Sequence, residues 1–135
     1  LILAIESSCD ETSAALVEGA RVLANIVSSQ VDLHRQWGGV VPEAAARAHV
    51  EAIVPVVAEA FALAARSPAD VRAVAATNRP GLVGALAVGV AAAKAWAYAL
   101  GVPILGVHHL EGHILSPLAQ LGDQPVAVPF PHLSA

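Results

Sequence analysis

The chain has 135 residues, with 7 Lys and Arg against 11 Asp and Glu, giving a formal net charge of −4 at pH 7; that is the length of one ordinary domain. Hydrophobic residues make up 56 % and charged residues 13 %, which excludes a disordered segment and supplies a sizeable core, much of it from alanine. An acidic chain with Lys94 as its one lysine does not grip nucleic acid unaided, and the lone Cys9 excludes an internal disulfide framework and a thiol-based zinc site.

Leu1 to Ile5 is an uninterrupted apolar run, predicting a buried strand that stops at Glu6-Ser7-Ser8-Cys9-Asp10-Glu11-Thr12. Ser13 to Val17 and Arg21 to Val27 read as two further strands, joined through the hairpin connection Glu18-Gly19-Ala20. Ser28 to Pro42 is mixed in polarity, carries Gly38-Gly39 and reads as a loop. Glu43 to Ala65 follows helical spacing, with Ala44, Ala48, Ile53, Val56, Val57, Ala60, Phe61 and Ala64 on one broad face. Pro55 lies inside it and is expected to kink or divide the helix. Ser67-Pro68-Ala69-Asp70 has a cap residue and Pro at the first helical position, with room for one turn.

Val71 to Ala76 predicts another buried strand, ended by Thr77-Asn78-Arg79-Pro80-Gly81, after which Leu82 to Leu100 is helix-prone. Val102 to Val107 is a further strand, and His109 to Leu121 a short helix with Pro117 as a candidate interruption. From Gly122 onward, Pro125, Pro129 and Pro131 predict an extended connection. The order is βββαβαβα: an antiparallel meander followed by right-handed crossovers, hence an α/β fold with a mixed central sheet. The longest apolar window, residues 81–93, falls short of the roughly 20 residues that cross a bilayer. No charged-then-apolar leader precedes the first strand, so a cytoplasmic protein without a membrane partner is expected.

Chemistry concentrates in Val107-His108-His109-Leu110-Glu111-Gly112-His113. At about 100° per residue, His109 and His113 share a helix face, which suits two imidazoles on one cation; the other reading is a histidine-rich helix start without metal. The zinc-protease pattern is not met, because Leu110 stands where a general-base glutamate would follow the first histidine, and Glu111 lies about 200° round from His109. A second signal is the acidic turn, where Asp10 and Glu11 can hold a cation or orient a nucleophile, or simply satisfy turn backbone. The third, Thr77-Asn78-Arg79-Pro80-Gly81-Leu82-Val83-Gly84, has the strand–turn–helix order of an anion site, although Gly81, Gly84 and Gly89 equally permit close helix packing. Cys9 reads as a buried small residue rather than a nucleophile. Gly38-Gly39-Val40-Val41-Pro42-Glu43, with His34, Arg47 and His49 nearby, has no generic chemical meaning.

Taken in order, the segment from Glu6 to Thr12, Ser29-Gln30, Leu33-His34, Gly38 to Glu43, Pro80-Gly81-Leu82-Val83-Gly84-Ala85-Leu86 and His108 to His113 resemble the tRNA threonylcarbamoyladenosine-synthesis transferases, a family formerly labelled O-sialoglycoprotein endopeptidases. Arg79 departs from the glycine more usual before the Pro-Gly. The resemblance implies that residues 1–135 form the first lobe of an actin-like ATPase fold (ASKHA, ribonuclease H-like), with the second lobe absent from this chain. It implies His109 and His113 as ligands of one divalent metal, iron or zinc, completed by an aspartate of the other lobe. Asp10 and Glu11 would be catalytic across the cleft, while substrate-binding residues stay unassigned. The implied reaction moves the threonylcarbamoyl group from threonylcarbamoyl-AMP to the N6 amine of adenosine 37 in tRNAs reading ANN codons. A paralogous actin-like partner and an ATPase subunit are implied as well. Two alternatives remain at this point: a non-catalytic dimerising scaffold of the same superfamily, and a metalloprotease.

Overall fold

The computed structural model describes residues 1–121, so the extended connection expected from Gly122 onward lies outside the described residues. The order is β1 (Ile2–Glu6), β2 (Glu11–Glu18), β3 (Arg21–Ser29), α1 (Val31–Arg35), α2 (Pro42–Ala64), a 3-10 turn (Pro68–Asp70), β4 (Ala73–Arg79), α3 (Val83–Leu100), β5 (Ile104–His108), α4 (His109–Leu115), a second 3-10 turn (Ser116–Leu118) and β6 (Gln120–Leu121). The strands form one mixed sheet in the order β5-β4-β1-β2-β3-β6. β1 pairs antiparallel with β2 and parallel with β4, in the registers Glu6 to Ser13 and Ile5 to Ala76. The meander and the parallel crossovers are therefore both present.

Alternation of side chains divides the sheet into two faces. Leu3 and Ile5 of β1, Ala14 and Leu16 of β2 and Val74 and Ala76 of β4 are buried beneath α2, which lies on β2 and β3, and α3, which lies on β4 and β1; the two helices also pack on each other. Val57 and Phe61 of α2 and Ala93 and Ala97 of α3 complete this core, with the Phe61 and Trp96 ring centroids 5.8 Å apart. Ala4, Ala15 and Ala75 line a shallow groove on the opposite face, which runs to Glu6, Ser13 and Thr77. α3 is long and apolar enough to cross a membrane by length and composition alone. It packs instead through Ala85, Gly89, Ala93 and Ala97, spaced one turn apart.

Several expectations are corrected. α2 is not divided at Pro55: this residue and Glu51 one turn earlier are both exposed, so the missing donor leaves nothing buried unpaired. The expected loop from Ser28 contains the last two residues of β3 and the five-residue α1. α4 ends at Leu115, where Pro117 sits in the second 3-10 turn, and the rest of the expected helix gives way to β6, parallel to β3. The single turn at Pro68 is as read. The Ala69 amide donates to Ser67 Oγ at 3.3 Å and the Ser67 amide to Asp70 Oδ2 at 2.8 Å, a reciprocal cap.

Candidate functional site

The C-terminal ends of β1, β4 and β5 converge at one end of the sheet, and the polar residues that follow them meet there. Glu6 closes β1. Its Oε2 accepts from the Thr77 hydroxyl and its Oε1 from the Ser8 amide. The same Oε2 lies 3.3 Å from His109 Nδ1, which is also 3.2 Å from Ser8 Oγ. Burial pushes the Glu6 carboxyl up, but the hydrogen bonds from Thr77, Ser8 and His109 outweigh it and hold the group below its ordinary value. A carboxylate there accepts the Nδ1 proton of His109 and leaves Nε2 with its lone pair.

That Nε2 faces His113 Nε2 at 3.0 Å, with the two rings edge to face at 84°. Two nitrogens each about 2.1 Å from one tetrahedral ion stand about 3.4 Å apart, so the pair fits two neighbouring coordination positions within a few tenths of an ångström. Glu6 behind His109 supplies the carboxylate that commonly orients a metal-bound imidazole. Among the described residues, no third His, Cys, Asp or Glu joins the pair. The residues present thus fit two positions of a metal centre and do not by themselves complete one.

His109 and His113 line an open cleft of about 450 Å³ together with Glu6, Glu11, Thr77 and His108. Glu11 thus shares the cleft with the histidine pair, while Asp10 lines the neighbouring pocket with Ser8, Cys9 and His109. Glu111, exposed, does not line the cleft. Glu6 and Thr77 enter the sequence reading only as the first residues of two motifs, with no role beside the histidines. A carboxylate ending an apolar run, directly before a polar turn, was the available signal.

The turn between β1 and β2 is held through its backbone. Ser8 O accepts from the Leu82 amide at 2.8 Å, Cys9 O lies 3.0 Å from His49 Nε2, and Asp10 O accepts from the Gln30 amide at 2.9 Å. Leu82 N is thus occupied by protein at the start of α3, which argues against the anion reading of this turn. The glycines serve packing: a Cβ on Gly81 would stand 2.6 Å from Ser8 O, and one on Gly89 2.3 Å from Ser7 Oγ. Ser7 Oγ in turn donates to Ala85 O at 2.8 Å and accepts from the Gly89 amide at 3.1 Å. His34, in the segment without generic meaning, is buried and lies 3.0 Å from Gln30 Oε1 through Nε2.

Cys9 is exposed rather than buried, because the turn carries it to the pocket rim. Partial burial, the Asp10 hydrogen bond and charge, and the Glu6 charge all push its thiol up. A raised pKa means less thiolate near neutrality, so alkylation of Cys9 by iodoacetamide at pH 8 is expected to run slower than that of free cysteine and to rise steeply in more alkaline buffer. A rate equal to or above the free thiol's, followed by mass spectrometry, contradicts this.

A family model for tRNA N6-adenosine threonylcarbamoyltransferase matches residues 21–133. The protein of that name from Moorella thermoacetica is 67 % identical over 114 residues, covering 84 % of this chain and 33 % of its own. That from Desulforapulum autotrophicum is 56 % identical over 136 residues, covering 100 % of this chain and 40 % of its own. The chain thus spans about a third to two-fifths of the length of the curated relatives it matches. Among solved structures, YeaZ from Pseudomonas aeruginosa superposes with a TM-score of 0.65 at 21 % identity, covering 87 % of this chain and 49 % of that one. A protein described as similar to peptidase YEAZ from Pseudomonas aeruginosa gives 0.61 at 25 % identity, over 86 % and 45 %. The topology is that of an actin-like ATPase lobe.

Proposed function

This chain belongs to the tRNA N6-adenosine threonylcarbamoyltransferase family, and from that premise we propose that the lobe serves transfer of a threonylcarbamoyl group from threonylcarbamoyl-AMP to N6 of adenosine 37 in tRNAs reading ANN codons. The observation that supports this most is the convergence of His109 and His113, Nε2 to Nε2 at 3.0 Å, with Glu6 behind His109. In this reading the pair holds one divalent metal, iron or zinc, since imidazole suits both. When bound, that ion supplies Lewis-acid polarisation and a template for the carbamoyl oxygen.

The chain's own residues perform the remaining tasks. The N6 amine attacks the carbamoyl carbon, the new C–N bond forms as the C–O bond to phosphate breaks, and AMP departs. The proton lost by the amine goes to the carboxylate of Asp10 or Glu11, or the two position the attacking amine. Glu6 keeps the His109 ring in one orientation. An acidic lobe has little charge to offer a polyanion, so tRNA binding is assigned to a paralogous actin-like partner and an ATPase subunit in the cytoplasm.

The full-length protein, mixed with such partners and threonylcarbamoyl-AMP, is expected to modify a tRNA carrying adenosine 37 and to leave a guanosine 37 variant unmodified. Residues 1–135 alone are expected to transfer nothing, because the metal's other ligands lie elsewhere. Equal labelling of both tRNAs, or full turnover by the 135-residue chain, overturns the reading.

A further inference from the structure

We propose that His49 is a positioning residue for the Asp10–Glu11 turn, a role that rests on the reading of those two carboxylates given above. His49 belongs to α2 and is fully buried, at 0 % exposure, yet it touches neither the cleft nor the histidine pair. Its Nε2 lies 3.0 Å from Cys9 O and its Nδ1 2.7 Å from Thr12 Oγ1. A carbonyl oxygen only accepts, so Nε2 carries a proton; in the neutral ring Nδ1 then accepts a hydrogen bond from the Thr12 hydroxyl. One imidazole therefore clamps the turn at the residue before Asp10 and the residue after Glu11. No hydrophobic residue can do this, because the Thr12 hydroxyl, at 0 % exposure, needs a polar partner and the bond to Cys9 O needs a donor.

The clamp completes a pattern. Three successive carbonyls, Ser8, Cys9 and Asp10, are each engaged by a different part of the chain: Leu82 at the start of α3, His49 of α2, and Gln30 between β3 and α1. With the backbone drawn toward the helices, Glu11 is left on the cleft and Asp10 on the pocket beside it. His49 thus acts on the reaction through the placement of the two carboxylates rather than by touching substrate.

The test uses the full-length protein and the near-isosteric Thr12→Val, which removes the hydroxyl that His49 Nδ1 accepts from, with Thr12→Ser as the variant that keeps it; His49→Ala is avoided as the variant most prone to unfold. Amide exchange reads the turn directly, because the Gln30 and Leu82 amides donate to its carbonyls. In Thr12→Val both are expected to exchange about ten-fold faster, with Ala93 in α3 unchanged, whereas Thr12→Ser matches wild type. Transfer is expected to lose about ten-fold in kcat in Thr12→Val, with KM and bound metal unchanged and recovery in Thr12→Ser. Unchanged exchange at Gln30 and Leu82 overturns the role of His49. Faster exchange with undiminished kcat retains the clamp and overturns instead the catalytic reading of Asp10 and Glu11.

Discussion

Replacing either His109 or His113 by alanine in the full-length protein is expected to strip the bound metal and reduce transfer to below about one-hundredth of wild type. In the proposed site each imidazole would supply half of what this lobe offers the ion, since no third candidate ligand stands among the described residues. Glu6→Gln is expected to cost less, about 10- to 100-fold in metal affinity, as is usual for a group that orients a ligand without binding the ion. The glutamine keeps the size of Glu6 but removes the charge that accepts from Thr77, Ser8 and His109 together. Elemental analysis of the purified proteins, alongside the tRNA assay, gives the ranking. Full metal content in His109→Ala and His113→Ala would remove the pair from the reaction.

Gly81→Ala is the second substitution with a large expected effect, and it acts through backbone. Its added carbon would stand 2.6 Å from Ser8 O, 2.8 Å from Ser8 Cβ and 3.0 Å from Ser8 Cα. No side-chain rotation relieves such an overlap, so the start of α3 must part from the turn, at about 1–3 kcal/mol of stability. The Leu82 bond to Ser8 O goes with it, and Ser8 is also a neighbour of His109. A lower unfolding midpoint together with weaker metal binding is therefore expected. Gly39→Ala is the control: a carbon there meets nothing within 4 Å, and its midpoint should match wild type. Equal midpoints for the two variants would show that the contact at Gly81 is not a constraint.

The sheet and the long helices were legible because burial is written in local alternation. Thr12, Ala14 and Leu16 are buried while their neighbours are not, and Ala60 and Phe61 follow Val56 and Val57 by one turn. α1 was not legible, since its Gln30 cap makes no side-chain hydrogen bond to the helix's free backbone amides; it is secured by His34 and Gln30 contacting each other and the start of α2. β6 owes its existence to Arg21 and Val22, nearly a hundred positions earlier in the chain. The His109 and His113 pairing was readable from helical spacing alone. Glu6 was not: its partners Thr77 and His109 lie 71 and 103 positions away, and no local pattern encodes them. His49 was invisible for the same reason, sitting within a helical run whose spacing says nothing of Thr12 or Cys9.

The two faces of β1 have one more implication. Leu3 and Ile5 belong to the core, while Ala4 and Glu6, between and beyond them, belong to the groove and the cleft. A slip of one residue against β2 or β4 would trade these duties, driving a carboxylate under the helices and stranding leucine in water. Misalignment by a single step is therefore penalised twice, so the same greasy side chains that fold the lobe also act as the ruler that aims its chemistry.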